Sequence, residues 1–261
     1  MTTATLSPTA EQELAALDHK LRKQFVKAFA TYHLLADGDH VLVGLSGGKD
    51  SLFLLQMMGR QMRIHHPHFR VEALHVRMQN ISYETSTDYL ERFCQQLDIP
   101  LHIRITSFDV NDAEHSSGRD LRRQKSPCFL CSWNRRKQLF NLAQELGCNK
   151  IALGHHQDDI IHTTLMNLTF QGRFGTMPAL LKMKKMPLTI IRPLCMMEER
   201  DIARYAELSG YEKQLKNCPY EYESHRTDIH ELFALAEHMN PDARHSIWNA
   251  LNTAGKLTED Y

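Results

Sequence analysis

No run in this chain of 261 residues is both apolar and long enough to cross a bilayer; the longest apolar stretches are strand-sized, against the roughly 20 residues a spanning helix needs. Net charge is missing as well: 31 Lys and Arg stand against 31 Asp and Glu, which argues against a protein that coats nucleic acid indiscriminately. The opening MTTATLSPTAEQELAAL lacks the basic start and apolar core of a secretory signal. A cytoplasmic chain is therefore expected, with no membrane partner and with its six cysteines reduced. Internal repeats and low-complexity segments are also lacking, and 42% hydrophobic with 24% charged residues is ordinary globular composition. Charge is nevertheless uneven: from Arg119 to Lys137 seven basic residues face the single acid Asp120, beside a cysteine pair.

What is present is an alternation of strand-like and helix-like segments. The first ~35 residues read as helix, with Leu14, Leu17, Leu21, Phe25 and Phe29 recurring every three or four positions until Asp37-Gly38-Asp39. Strands are predicted at 40–45, 70–76, 101–106, 150–154 and 188–192, and helices at 51–62, 86–97, 132–146, 158–170 and 198–209. That order predicts an α/β fold, a mostly parallel sheet flanked by helices, with further helices at both termini. The division expected is a helical segment over 1–36, the main α/β unit over 37–218 and a helical segment over 219–261 packed on it. The last should hold one or two helices interrupted at Asn240-Pro241. Segments 111–127 and 171–187 are long polar loops of the kind that serve as lids or binding loops.

The sharpest local signal is VLVGLSGGKDS, an apolar strand followed by a Gly-rich turn and a helix start near Asp50. Gly47 and Gly48 let backbone amides turn towards an anion, the helix start adds its positive end, Ser46 and Ser51 add hydroxyls and Lys49 adds a charge. Phosphate suits such a turn, although the first glycine of a Walker A loop is missing. A second strand, IALGHHQDD, runs into Gly154 and then Asp158 and Asp159, at the strand end where open α/β sheets bind ligands. One of these carboxylates should face a nucleotide and its Mg²⁺, and the other should cap the helix.

Cys128 and Cys131 form a CxxC that can chelate one metal centre, but this spacing alone leaves zinc, an iron-sulfur cluster and a redox dithiol open. Cys94, Cys148 and Cys195 lie among apolar neighbours and are expected to be buried thiols. Cys218 sits in the polar LKNCPYEYESHR, where a thiol has little reason to pack. Three cysteines would leave one iron of a cubane cluster open to a foreign sulfur.

The SGGKDS turn resembles the PP-loop of N-type ATP pyrophosphatases. Taken with CFLCSWNRRK, GHHQDDIIHTTLMN, IIRPLCMMEERDI and NCPY, the chain resembles the tRNA 2-thiocytidine synthetases in content, order and spacing, from about Lys20 to about Leu251. Lysidine synthetases share the first and third motifs but lack a CxxC here. The resemblance implies that Mg-ATP adenylates the O2 of an anticodon-loop cytidine and that sulfur then displaces AMP. It implies that Ser46, Gly47, Gly48, Lys49, Asp50 and Ser51 hold the pyrophosphate, with Asp50 placing Mg²⁺. His75, Val76 and Gly154 would border the nucleotide, and Arg135 would stabilise transition-state charge beside Asp158 and Asp159. A 4Fe-4S cluster on Cys128, Cys131 and Cys218 would carry sulfur. Its partners would be tRNA, a sulfur donor such as a cysteine desulfurase, and a second copy of the chain as homodimer. Arg119 to Lys137, with Arg173, Lys182, Lys184 and Lys185, would form a local phosphate-tracking face. Two other readings compete: the same chemistry on another RNA base or a small molecule, and a non-catalytic nucleotide-binding redox sensor.

Overall fold

The computed structural model describes residues 7–64, 66–79, 86–107, 127–212 and 226–260. Seven strands form one sheet: β1 (His40–Gly44), β2 (Arg70–Met78), β3 (Leu101–Thr106), β4 (Lys150–Ala152), β5 (Leu180–Lys182), β6 (Thr189–Ile191) and β7 (Thr258–Asp260). Their order across the sheet is β3-β2-β1-β4-β6-β5-β7. The pairs β1–β2, β2–β3, β1–β4, β4–β6 and β5–β7 are parallel, and β5–β6 is antiparallel. The chain thus builds outward from β1 to β3, then crosses back to place β4 and β6 on the other side of β1. The reversal lies between β1 and β4, where the connections leaving the two carboxyl ends diverge and open a crevice.

The helices are α1 (Pro8–Tyr32), α2 (Lys49–Met62), α3 (Thr87–Leu97), α4 (Pro127–Glu145), α5 (Gln157–Gln171), α6 (Glu199–Leu208), α7 (Arg226–Met239) and α8 (Ala243–Thr253). Apolar spacing decides which faces they bury. Leu21, Phe25, Ala28 and Tyr32 of α1 fall three or four apart and share one core with Val41 and Val43 of β1 and with Leu52, Phe53 and Leu55 of α2. Each such side chain contributes about 1.5–3 kcal/mol on burial. The other face of the sheet packs Leu42, Leu74, Val76 and Met78 against Leu142 and Ala143 of α4. Helices α7 and α8 both contact α5, and they flank the turn at Asn240-Pro241. Cys94, Cys148 and Cys195 are buried thiols, which burial pushes up to about 11, about 11 and about 12. No helix among the described residues is long and apolar enough to cross a membrane.

The structure departs from the sequence expectations in four places. Helix α1 stops at Tyr32, because His33 takes the left-handed conformation (φ 51°) and donates its amide to Phe29; Gly38 (φ 83°) serves only the turn into β1. Strand β2 runs on to Met78, held by pairing with β3 as far as Met78–Thr106. Segment 171–187 is not wholly loop, since Leu180–Lys182 pairs with both β6 and β7. Helix α4 begins at Pro127 rather than Ser132, so both cysteines of the CxxC are helical; proline suits a first helical position.

Candidate active site

The Gly-rich turn leaves β1 at the reversal point. Gly47 is left-handed (φ 86°) and Gly48 extended (φ −70°, ψ 158°), and α2 starts at Lys49 with no side chain capping its amides. The hydroxyl of Ser51 fastens the turn from inside: it accepts from the Gly47 amide (3.1 Å), donates to the Gly48 carbonyl (2.9 Å) and lies 3.1 Å from Ser46 Oγ. The uncapped helix start therefore faces the crevice as an anion cradle. Lys49 Nζ bridges Asp50 Oδ2 (3.2 Å) and Glu199 Oε1 (2.9 Å). Burial opposes its charge, but those two carboxylates outweigh burial and raise its pKa. The other Asp50 oxygen, Oδ1, is buried and has no hydrogen-bond partner, which suits a cation ligand rather than a structural acceptor.

The turn after β4 closes directly on this cradle. A Cβ on Gly154 would stand 3.2 Å from the carbonyl carbon and oxygen of Asp50 and from the Ser51 amide nitrogen. Glycine is required by that approach. Beyond it, Asp159 and His156 form a capping box on α5: Asp159 Oδ2 accepts from the His156 amide (3.1 Å), and His156 Nδ1 accepts from the Asp159 amide (3.4 Å). Asp158 points elsewhere. Its Oδ2 accepts from the Glu199 amide at the start of α6 (2.7 Å), and its Oδ1 accepts from Arg244 Nη2 of α8 (2.7 Å). Burial alone would raise its pKa; the Arg244 and Glu199 hydrogen bonds and the nearby positive charge hold it below the usual carboxylate range. Both acids thus cap helices, and Asp159 stays the more exposed, at 34% against 12% of the side chain.

Helix α4 enters from the other face of the sheet. Cys128 and Cys131, three residues apart, lie on one stripe of its first turn. Cys128 is exposed, and Cys131 packs at the rim of the core around Leu42 and Val76. Arg135 continues that stripe one turn later. It lies near His75, whose buried ring bonds the Leu45 carbonyl through Nδ1 (2.9 Å), the last residue before the Gly-rich turn. Burial first, then the charges of Arg135 and Arg77, lower the His75 pKa against the opposing hydrogen bond to Leu45. The cysteine helix therefore packs on the two strands, β1 and β2, that lead to the anion cradle and to the His75 ring beside it.

His75 and Val76 are both buried, and with β2 running to Met78 they sit inside the strand rather than at its end. Lys184 and Lys185 lie in the turn between β5 and β6, at the amino edge of β6, the opposite end of the sheet from the cradle. They do not extend the basic stretch of α4 into one face at the crevice. Cys218, together with 108–126 including Arg119, lies outside the described residues. Among the described residues no three His, Cys, Asp or Glu side chains are grouped to hold a metal ion.

Three site residues escaped the sequence reading. Glu199 falls within IIRPLCMMEERDI, which carries the resemblance without giving this acid a role, and it reaches Lys49, 150 positions away. Arg244 closes on Asp158 from PDARHSIWNAL, a weaker stretch of the same resemblance that assigns it no partner. Arg192, buried after β6, places Nε 3.3 Å from His155 Nδ1, and burial lowers its pKa to about 10.

A family model described as a PP-loop domain matches residues 17–214. Among curated relatives, the tRNA-cytidine(32) 2-sulfurtransferase of Dichelobacter nodosus is 35% identical over 235 residues, spanning 89% of this chain and 85% of that protein. The enzyme of the same name from Bordetella avium is 33% identical over 245 residues, spanning 93% of this chain and 75% of that one. Among solved structures, the U34-tRNA thiolase NcsA from Methanococcus maripaludis, with its 4Fe-4S cluster, matches with a TM-score of 0.69 at 24% identity. That match covers 92% of this chain and 79% of the thiolase, and it speaks for the fold alone.

Proposed function

The chain belongs to the PP-loop family, beside its tRNA-cytidine(32) 2-sulfurtransferases, and from that premise we propose that it is an ATP-dependent tRNA sulfurtransferase that converts an anticodon-loop cytidine to 2-thiocytidine. The single observation that carries the reading is the joint at the reversal point. The cradle of Ser46 to Ser51 is closed by Gly154 on one side, and the cysteine helix packs on the strands that lead into it, β1 and β2, on the other.

In this reading the amides and hydroxyls of residues 46–51 take the triphosphate, and Lys49 leaves Glu199 for the phosphates. The unpartnered Asp50 Oδ1 is the carboxylate oxygen available to Mg²⁺, which when bound supplies charge neutralisation. His75 and Val76 border the adenine through their backbone. The cytidine O2 attacks the α-phosphorus and pyrophosphate leaves; sulfur at the sulfide level then adds to C2, and AMP departs with the original oxygen. A 4Fe-4S cluster on Cys128, Cys131 and Cys218 would supply the held sulfur. Arg135 steadies charge on the phosphates as each leaving group departs. Asp159, the more exposed acid, is assigned to the nucleotide side, and Asp158 to positioning α6.

The wider reading comprises a PP-loop unit over 37–218 with helical segments 1–36 and 219–261 packed on it. A cysteine desulfurase would donate persulfide sulfur in the cytoplasm, a thiol or other two-electron reductant would bring it to the sulfide level, and a second copy would form a homodimer. Pyrophosphate and AMP released from ATP only when tRNA is present, with 2-thiocytidine in the digested product, would support the function. ATP binding with no tRNA-dependent pyrophosphate would overturn it. Arg135→Ala should lower turnover roughly 100-fold while changing ATP affinity little.

A further inference from the structure

Helix α4 carries a second stripe besides the one with the cysteines. Phe129 and Trp133, four residues apart, are 51% and 50% exposed, although both rings are large enough to dominate a core. Lys137, one turn further, holds its ammonium 5.5 Å from the centre of the Trp133 ring, and Arg136 is anchored beside it by a 3.1 Å bond to Ser132 Oγ. The inward stripe of the same helix, through Leu139, Leu142 and Ala143, already packs on the sheet, while Phe129 and Trp133 keep half of their surface in solvent. Exposed aromatic rings in series with cations at one-turn spacing match unpaired nucleobases on a phosphate backbone: each base has a π-face to stack, and each phosphate a charge to meet.

We propose that Phe129, Trp133 and Lys137 form a docking ridge for unpaired bases of a single-stranded RNA loop. The ridge starts in the same helical turn as Cys128 and Cys131, on another face of that turn. The proposal rests on the tRNA reading above and adds how the loop is held. A base-paired stem has no free faces to offer, and a protein surface would not need the one-turn repeat of ring and cation.

The chain holds two tryptophans, which makes the test direct. Trp248 packs against the core, so Trp248→Phe leaves Trp133 as the sole reporter in the full chain. Its fluorescence should be quenched by a tRNA anticodon stem-loop and not by a blunt RNA duplex of equal length. Trp133→Ala or Phe129→Ala should weaken the stem-loop roughly 5- to 150-fold, with ATP binding unchanged and Trp133→Phe within a few fold of the parent. Lys137→Gln should lower the slope of log affinity against log salt by about one phosphate contact. Equal quenching by the duplex, a neutral Trp133→Ala, or a signal raised by a cysteine desulfurase instead of RNA would overturn the ridge and leave the sulfurtransferase reading standing. Absence of any tRNA binding by the parent chain would overturn both.

Discussion

Gly154→Ala tests the joint between the two halves of the site. The glycine's φ lies outside the left-handed region, so alanine meets no backbone penalty there, and its effect isolates one steric contact. That contact is made with three backbone atoms of Asp50 and Ser51 at 3.2 Å, none of which a side-chain rotation can remove. The turn after β4 and the start of α2 must separate by a few tenths of an ångström. Overpacking of this kind costs about 1–3 kcal/mol. In a chain of this size each kcal/mol lowers the melting temperature by about 2–4 °C, so a fall of roughly 2–12 °C is expected. Turnover should suffer more than stability, because the displaced groups flank the reacting phosphates and a shift near 1 Å can cost about 100-fold; about 10-fold is expected for this smaller one. Gly175→Ala is the control: its new Cβ would meet only the exposed Arg173 guanidinium, at 3.3 Å, which can swing away. Melting curves and tRNA-dependent pyrophosphate release, measured for both variants, read the two effects apart. A Gly154→Ala protein as stable and as active as the Gly175→Ala control would refute the claim that this approach sets the site.

Asp158→Ala removes one of the three carboxylates around Arg244, leaving Glu237 and Glu198, and frees the Glu199 amide at the start of α6, at a cost of about 1–3 kcal/mol. Denaturant melts should show it, Asp158→Asn should recover part, and a loss under about 1 kcal/mol would remove the positioning role. Acidification should weaken the fold through His75: its folded pKa lies below the ordinary 6.5, so the unfolded chain takes the proton first. Stability tied to this ring is complete above about pH 6.5 and declines as pH falls from there towards the depressed folded value. His75→Gln should flatten the melting temperature across that window, and an unchanged slope would sink the assignment. Asp158 acts in a lower window, since its depressed pKa adds stability above its ordinary 3.8 that is lost as pH falls through the folded value.

The sheet was legible because its strands are short apolar runs punctuated by Gly and polar turns, and the five predicted strands and five intervening helices all formed within a few residues of their expected bounds. Strands β5 and β7 were not, because three residues carry no readable alternation and pair only once the rest of the sheet exists. The end of α1 was hidden for a different reason: His33 fills a left-handed cap usually marked by glycine. At the site, the Gly-rich turn and Gly154 announced themselves through backbone requirements, which sequence records well. Glu199, Arg192 and Arg244 did not, since their roles come from partners 37 to 150 positions away. The acid pair was half legible, as Asp159 caps α5 as expected, whereas Asp158 is drawn off by a helix end and a guanidinium that no local pattern reveals.

That redirection of Asp158 bears on how the site divides its labour. Asp158 fixes the start of α6, α6 carries Glu199, and Glu199 holds Lys49 beside Asp50, so a carboxylate remote from the phosphates still determines where their cation stands. These contacts join α2, α5 and α6, and none involves the cysteine helix. Helix α4 packs on β1 and β2 from the opposite face of the sheet, where the charge of Arg135 acts on His75, the side chain that bonds the Leu45 carbonyl. In the proposed reading the cradle would carry most of the phosphate chemistry and α4 the sulfur delivery, with Arg135 of α4 serving both. Substitutions on the cysteine stripe of α4 should abolish thiolation yet leave ATP bound and the fold intact, whereas a break in the Asp158–Glu199–Lys49 chain removes both steps at once.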